Sequence, residues 1–201
     1  MSEEKKMATF KSNAIIVAAV WLALKSARPI LQFRRKGDKL EVVGSNAYVL
    51  VKGEIPAEFS EGWEDGGVMK MVDHKATLAL SDVLALDRYE LSEHRLVGDG
   101  GCGAEYRVAN SRVQFEVPFL ETSGNPLTLD SLYEMVDSDP EGRAYLTSDV
   151  LRTMAKLTKI VGGRHWCWYF EPHGKNRAVT LRTECGIEPA VLIMAMPMRE
   201  D

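Results

Sequence analysis

AIIVAAVWLAL, Ala14 to Leu24, is the longest apolar run in the chain. Its eleven residues fall well short of the ~20 needed to cross a bilayer as a helix. A helix that is apolar all round has to be enclosed, so the run predicts a buried helix covered by its own sheet or by another subunit. Ser12 or Asn13 can cap it by accepting a hydrogen bond from a free backbone N–H. Pro29 disfavours helical geometry in the residue before it, which places the helix at about Asn13 to Ala27.

This helix opens a pattern that occurs three times, a helix followed by strands. The first segment starts with a short strand, Met7–Lys11, and continues after the helix with ILQFRR, KLEVV and NAYVLVKGEI, the KGD between the first two reading as a hairpin turn. PAEFSEGWEDGG (56–67) is acidic and rich in turn residues and reads as a linker or long loop. The second segment opens with VMKMVDHKATLAL as a possible strand. Ser81 and Asp82 then lead a short helix, SDVLALDRYEL, and strands follow at HRLVGD and EYRVANSRVQFEVPFL with a turn at ANS.

Gly124-Asn125-Pro126 and Asp137 to Pro140 mark the next boundary. The third helix is expected from about Ser148 to Ile160, capped by Thr147 or Ser148 and stopped by Gly162-Gly163. HWCWYFEP, RAVTLRTE and PAVLIMAMPM supply its strands. Helices spaced roughly 50–65 residues apart suggest a diverged internal repeat. The expected fold class is α+β, one helix packed on antiparallel strands in each unit. Residues 1–135 hold two such units and 136–201 the third.

The chain has 201 residues, 45% apolar and 27% charged, which suffices for a sizeable core in one or two domains. A net charge of −4 argues against bulk attraction to nucleic acid but leaves room for a local basic face. Cys102, Cys167 and Cys185 are few and odd in number. With no leader-like order in MSEEKKMATF, they fit a reducing cytoplasm.

Few positions suggest chemistry. GDGGCG (98–103) is glycine-rich but lacks the Lys-Ser/Thr of a phosphate loop, and reads as a turn. His165, Cys167, His173 and Cys185 match no zinc spacing, so no metal is expected there. There is no G-x-S-x-G elbow and the four histidines form no recognisable triad. No catalytic residue, cofactor or metal is assigned. A small-molecule enzyme using the His165/Cys167 region ranks behind the readings below.

The third helix says more. In SDVLRTMAKLTKIVGGR, Arg152, Lys156 and Lys159 stack on one face, with Val150, Leu151, Met154, Leu157 and Ile160 covering much of the other. That face is either ordinary solvated surface or a track for phosphates, since spaced cations displace counterions without reading bases. Lys25 and Arg28, at the end of the first helix, extend it. The chain ends VLIMAMPMRED, where Pro197 cannot donate to a sheet ladder and marks an edge or exit. Adaptable methionines there suit a core strand or a partner-binding surface.

The closing MPMR and the helix run YLTSDVLRTMAKL resemble the bacterial DNA polymerase III beta sliding clamp family. That family typically ends in a Val-Met-Pro-Met-Arg-like stretch after a Tyr-Leu-x-Asp-Val-Leu-like helix. VVGSNAYVLV is similar to its Thr-Asp-Gly-[His/Tyr]-Arg-Leu-Ala stretch at Ser45, Asn46, Tyr48 and Leu50, and departs at Ala47 and Val49. RVQFEVPFLETSGNPLTLDSLY looks like the end of a clamp domain.

The resemblance implies a DNA-clamp-like fold whose helices line a hole and whose sheets face outward, with no chemistry catalysed. It implies non-specific backbone contact with double-stranded DNA through Lys25, Arg28, Arg152, Lys156 and Lys159. It also implies a pocket for peptides of a DNA polymerase or other partners, formed by Leu50, Met194, Met196, Pro197, Met198 and Arg199. Three units against the family's six imply about half a clamp chain, completed as a homo-oligomer. A clamp-fold interaction module that does not encircle DNA is the alternative.

Overall fold

The computed structural model describes residues 5–11, 14–86, 93–98, 103–109, 114–120, 146–162, 168–172, 178–183 and 191–195. In chain order these form β1 (Lys6–Lys11), α1 (Ala14–Ala23), β2 (Ile30–Lys36), β3 (Lys39–Ser45), β4 (Val49–Pro56), β5 (Glu58–Phe59) and β6 (Val68–Met71). There follow α2 (His74–Leu86), β7 (Glu93–Gly98), β8 (Gly103–Ala109), β9 (Gln114–Leu120), α3 (Ser148–Gly162), β10 (Trp168–Pro172), β11 (Val179–Thr183) and β12 (Val191–Ala195).

The strands make two antiparallel sheets, ordered β5-β1-β7-β8-β9 and β10-β11-β12-β4-β3-β2-β6. The second draws four strands from the first two segments and three from the third. Its closing step pairs Ile193 with Val51 and Met194 with Leu50. Alternation assigns the two faces of this sheet. Val49, Val51, Ile193 and Ala195 enter the main core, while Leu50, Leu192 and Met194 enter a second, smaller cluster with Val43 and Ala178. An aromatic group ties the two sheets together. Tyr106 of β8 lies 6.0 Å from both Phe10 of β1 and Phe33 of β2, ring centre to ring centre, and shares a 2.8 Å hydrogen bond with His94 of β7.

Helix α1 lies on β3 and β4 and touches both α2 and α3. Seven of its residues are buried, from Ile15 to Ala23, as its all-round apolarity predicts. Only a narrow stripe reaches outward, with Val17 37% exposed and Trp21 half-buried. Gly44 makes this seat possible, because a Cβ there would stand 2.3 Å from the Ala19 carbonyl oxygen. The helix stops at Ala23 rather than Ala27. Lys25 and Ser26 donate to Leu22 and Ala23, three residues back, which tightens the final turn before Pro29.

Two expectations are corrected here. VMKMVDHKATLAL is not one strand: only Val68–Met71 is, and α2 starts at His74 rather than at Ser81 or Asp82. The cap is Asp73, whose carboxylate accepts from the Lys75 N–H at 2.8 Å. Its carbonyl accepts from the buried Thr77 hydroxyl at 2.7 Å, which satisfies a polar group inside the helix.

The stretch 56–67 is a packed clasp rather than a linker. Trp63 is fully buried and donates to the Gly67 carbonyl at 2.9 Å. Ser60 N–H donates to Met7 of β1, and Gly66 N–H to Arg35 of β2, so the segment binds one sheet to the other. Asp65 accepts from the Gly37 N–H at 2.8 Å, locking the β2–β3 turn onto the clasp. That bond, with another from Gly66 and the nearby Arg35 charge, holds the Asp65 carboxyl below the usual carboxylate range.

A lowered folded pKa contributes stability above the unfolded value, and that contribution is lost as pH falls through the folded one. Urea midpoints should therefore drop on acidification below about pH 4. Asp65→Asn should lower the midpoint at pH 7 and flatten that acid slope. An unchanged acid slope in the variant would show that Asp65 carries none of it.

Candidate nucleic-acid interface

Helix α3 starts at Ser148, with Thr147 as its cap: the Thr147 hydroxyl accepts from the Val150 N–H at 3.2 Å. Met154, Leu157 and Val161 are its buried residues facing the core. At 100° per residue, Arg152 and Lys159 fall opposite these and Lys156 on the same outer side but rotated towards Ile160, and all three are exposed. The spacing therefore places its three cations on one outward face. Leu151 differs from expectation: it is 49% exposed, and Val161 takes the expected core position. The buried arc is centred between Met154 and Leu157, too far round for Leu151 to reach. Asp149 meets Arg152 at 3.2 Å on the surface, a pairing that weakly restrains this guanidinium.

Lys25 and Arg28 lie just past α1, in its tightened turn and beyond, and both are exposed. The Lys25 ammonium stands 5.1 Å from the Trp21 ring centre, a cation–π contact that orients it over α1. Where the three helices converge, Val17 and Trp21 of α1, Ser81 and Leu84 of α2, and Lys156 and Ile160 of α3 line a groove. Trp21 escapes a reading that treats the apolar run as uniformly covered. The four-residue spacing of Val17, Trp21 and Lys25 is the signal of its outward stripe.

The partner-peptide residues divide differently. Leu50 and Met194 are cross-strand neighbours in the small cluster on the sheet face away from α1. They are 6% and 2% exposed, so a peptide reaching them must displace neighbouring chain. Beside them, Lys52 and the buried Glu41 form a 2.8 Å ion pair. The β3–β4 turn presents Tyr48 to solvent, with Asn46 accepting from the Tyr48 and Val49 N–H groups and Ala47 at φ +76°. Met196, Pro197, Met198 and Arg199 lie outside the described residues, as do His165, Cys167, His173 and Cys185. Among the described residues, no three His, Cys, Asp or Glu side chains gather as metal ligands, and no helix is long and apolar enough to cross a membrane.

Two antiparallel sheets with helices gathered against them define the sliding-clamp fold, and solved structures bear this out. A. fulgidus PCNA, in a structure with the C-terminal region of FEN-1 bound, superposes with a TM-score of 0.57 at 13% identity, covering 96% of this chain and 99% of that one. The H. pylori beta clamp in complex with diflunisal gives 0.61 at 11% identity, over 96% of this chain and 66% of the clamp. PCNA from Thermococcus kodakaraensis gives 0.58 at 10% identity, over 96% and 100%. No family model matches the sequence, and no curated protein matches it. The chain thus spans the full length of the PCNA chains and about two thirds of the bacterial clamp, rather than half of a clamp.

Proposed function

We propose that this chain is a sliding-clamp-like DNA replication accessory, a processivity factor that assembles with its own copies around duplex DNA and catalyses no reaction. One observation carries the reading: the helices gather together, and α3 exposes Arg152, Lys156 and Lys159 on the side away from its buried residues. Cations in that arrangement neutralise phosphates whatever the base sequence, as a protein that must move along DNA requires. Lys25 and Arg28 add to the same contact. The net charge of −4 is compatible with this because the basic groups are local. Closed symmetric assembly is the ordinary way to complete a ring from one kind of chain.

On this reading residues 1–135 form a two-unit clamp-like domain and 136–201 a third helix-plus-strands unit, acting in the cytoplasm. A polymerase or other partner is tethered by a short peptide at Leu50, Met194, Met196, Pro197, Met198 and Arg199. The FEN-1 region bound to A. fulgidus PCNA supports a peptide mode of partner binding. The MPMR ending favours a tie to the bacterial polymerase III beta clamps, while the span of the alignment favours a PCNA-sized chain.

The test is retention on nicked circular against linearised duplex, with solution mass followed by light scattering over a dilution series. A closed oligomer retained on circles and lost from linear ends is expected. Equal loss from both, or a persistent monomer, would sink encirclement. A second reading, a clamp-fold interaction module that does not encircle DNA, is favoured by the net charge of −4. It predicts peptide binding with no DNA retention.

A further inference from the structure

We infer that the groove where α1, α2 and α3 converge binds an unpaired nucleotide, with the base against Trp21 and its phosphates on Lys156 and Lys25. This rests on the proposal that the helix layer faces nucleic acid, and it goes beyond that proposal, because duplex phosphates need cations only. An indole wall and an apolar cleft contribute nothing to backbone tracking. They are the features of single-strand sites, where aromatic rings stack bases beside a basic groove.

The groove is built for such a ligand in composition and in size. Val17, Trp21, Leu84 and Ile160 give apolar walls, Ser81 a hydroxyl and Lys156 an ammonium. Its volume of about 260 Å³ lies below the ~300–1,000 Å³ typical of drug-sized ligands, which suits a single flat ring system rather than a peptide helix. Charge selects the occupant further. Among the described residues no acid lines the groove, and Asp82, the one acid of α2, is exposed outside it. The Lys25 ammonium at 5.1 Å from the Trp21 ring centre holds a position that a stacked base can take, leaving the ammonium to a neighbouring phosphate. The favoured occupant is therefore apolar, planar and anionic at its edge.

The experiment compares full-length protein and its variants on oligo-dT and on a blunt duplex of equal length, by fluorescence anisotropy at fixed salt. Trp21→Ala removes the stacking wall. Ala85 of α2 also lines the groove, and Ala85→Leu fills it while leaving Trp21 and every cation in place. Each should weaken oligo-dT binding by roughly tenfold or more with duplex affinity within twofold of wild type. Adding poly-glutamate should compete far less well than oligo-dT.

Equal effects on both DNAs, or no effect of Ala85→Leu on oligo-dT, would overturn the inference. So would poly-glutamate competing as strongly as oligo-dT, which would assign the groove to an acidic peptide. Duplex binding without oligo-dT binding would refute the groove site alone. Binding of neither DNA by wild type would refute the DNA-tethering proposal with it.

Discussion

Replacing Arg152, Lys156 and Lys159 together with Glu is expected to abolish measurable retention on circular duplex. Three phosphate contacts contribute a salt slope of about 0.9 each, so their loss weakens binding by roughly a hundredfold near 0.15 M salt. Reversal of sign adds repulsion to that figure. The matched triple Gln variant should show the hundredfold loss alone, with a slope of log K against log[salt] shallower by about 3. Folding should be nearly untouched. The three side chains are exposed, Glu and Gln are good helix formers, and the Asp149–Arg152 pair contributes at most ~1 kcal/mol as a surface pair. Wild-type retention in the Glu variant, with an unchanged melt, would leave α3 as ordinary solvated surface.

The second large effect concerns the seat of that helix layer. Gly44→Ala is expected to destabilise the fold by about 3 kcal/mol or more, because overpacking normally costs ~1–3 and here the obstacle is backbone. The new Cβ would meet the Ala19 oxygen, Cα and carbonyl carbon at 2.3, 2.5 and 2.7 Å, and α1 can yield only by lifting off β3. For a chain of this size that corresponds to a fall of roughly 6–12 °C in Tm.

Two other glycines serve as controls. The three atoms nearest a Cβ on Gly53 all belong to the Ile15 side chain, which can shift more readily than backbone, so Gly53→Ala should cost less. Gly37 has open space but φ +61°, so Gly37→Ala should cost only the ~1–2 kcal/mol of left-handed backbone. A Tm for Gly44→Ala within 2 °C of wild type would mean that α1 does not sit on β3 in this way. Because α1 touches both α2 and α3, lifting it should also disturb the groove and the position of Lys25.

Much of this architecture could be read from residue order, for identifiable reasons. The apolar run announced a buried helix because no other environment accepts AIIVAAVWLAL. Alternation and β-formers in KLEVV and VLVKGEI marked two strands, which pair with each other in the structure. The α3 cations were legible because a solvated face follows the 3.6-residue period without interference.

Other features depended on contacts that local pattern does not encode. Thr77 and the β-formers around it obscured the start of α2, and the Asp73 cap resolves that start only when its bonds are seen. Trp63 lies in an acidic, turn-rich stretch, and local pattern does not show that Arg35 of β2 reaches its carbonyl or that Ser60 ties the stretch to β1. Leu151 fits an apolar pattern as well as Val161 does, and only the direction of the core separates them. Leu50 and Met194 were grouped through family resemblance, and their adjacency follows from a strand pairing that no local pattern predicts.

That pairing also dictates an order of events during synthesis. β4 finds its neighbour β12 with most of the chain between them, and closing so long a loop makes it a slow, late contact. Until Val191–Ala195 leaves the ribosome, β4 is an open edge bearing Val49, Val51 and Ile55, a template for strands of other nascent chains. The half-made protein is therefore the species most prone to aggregate. Its yield should respond to translation rate and chaperone supply more than the stability of the finished fold suggests.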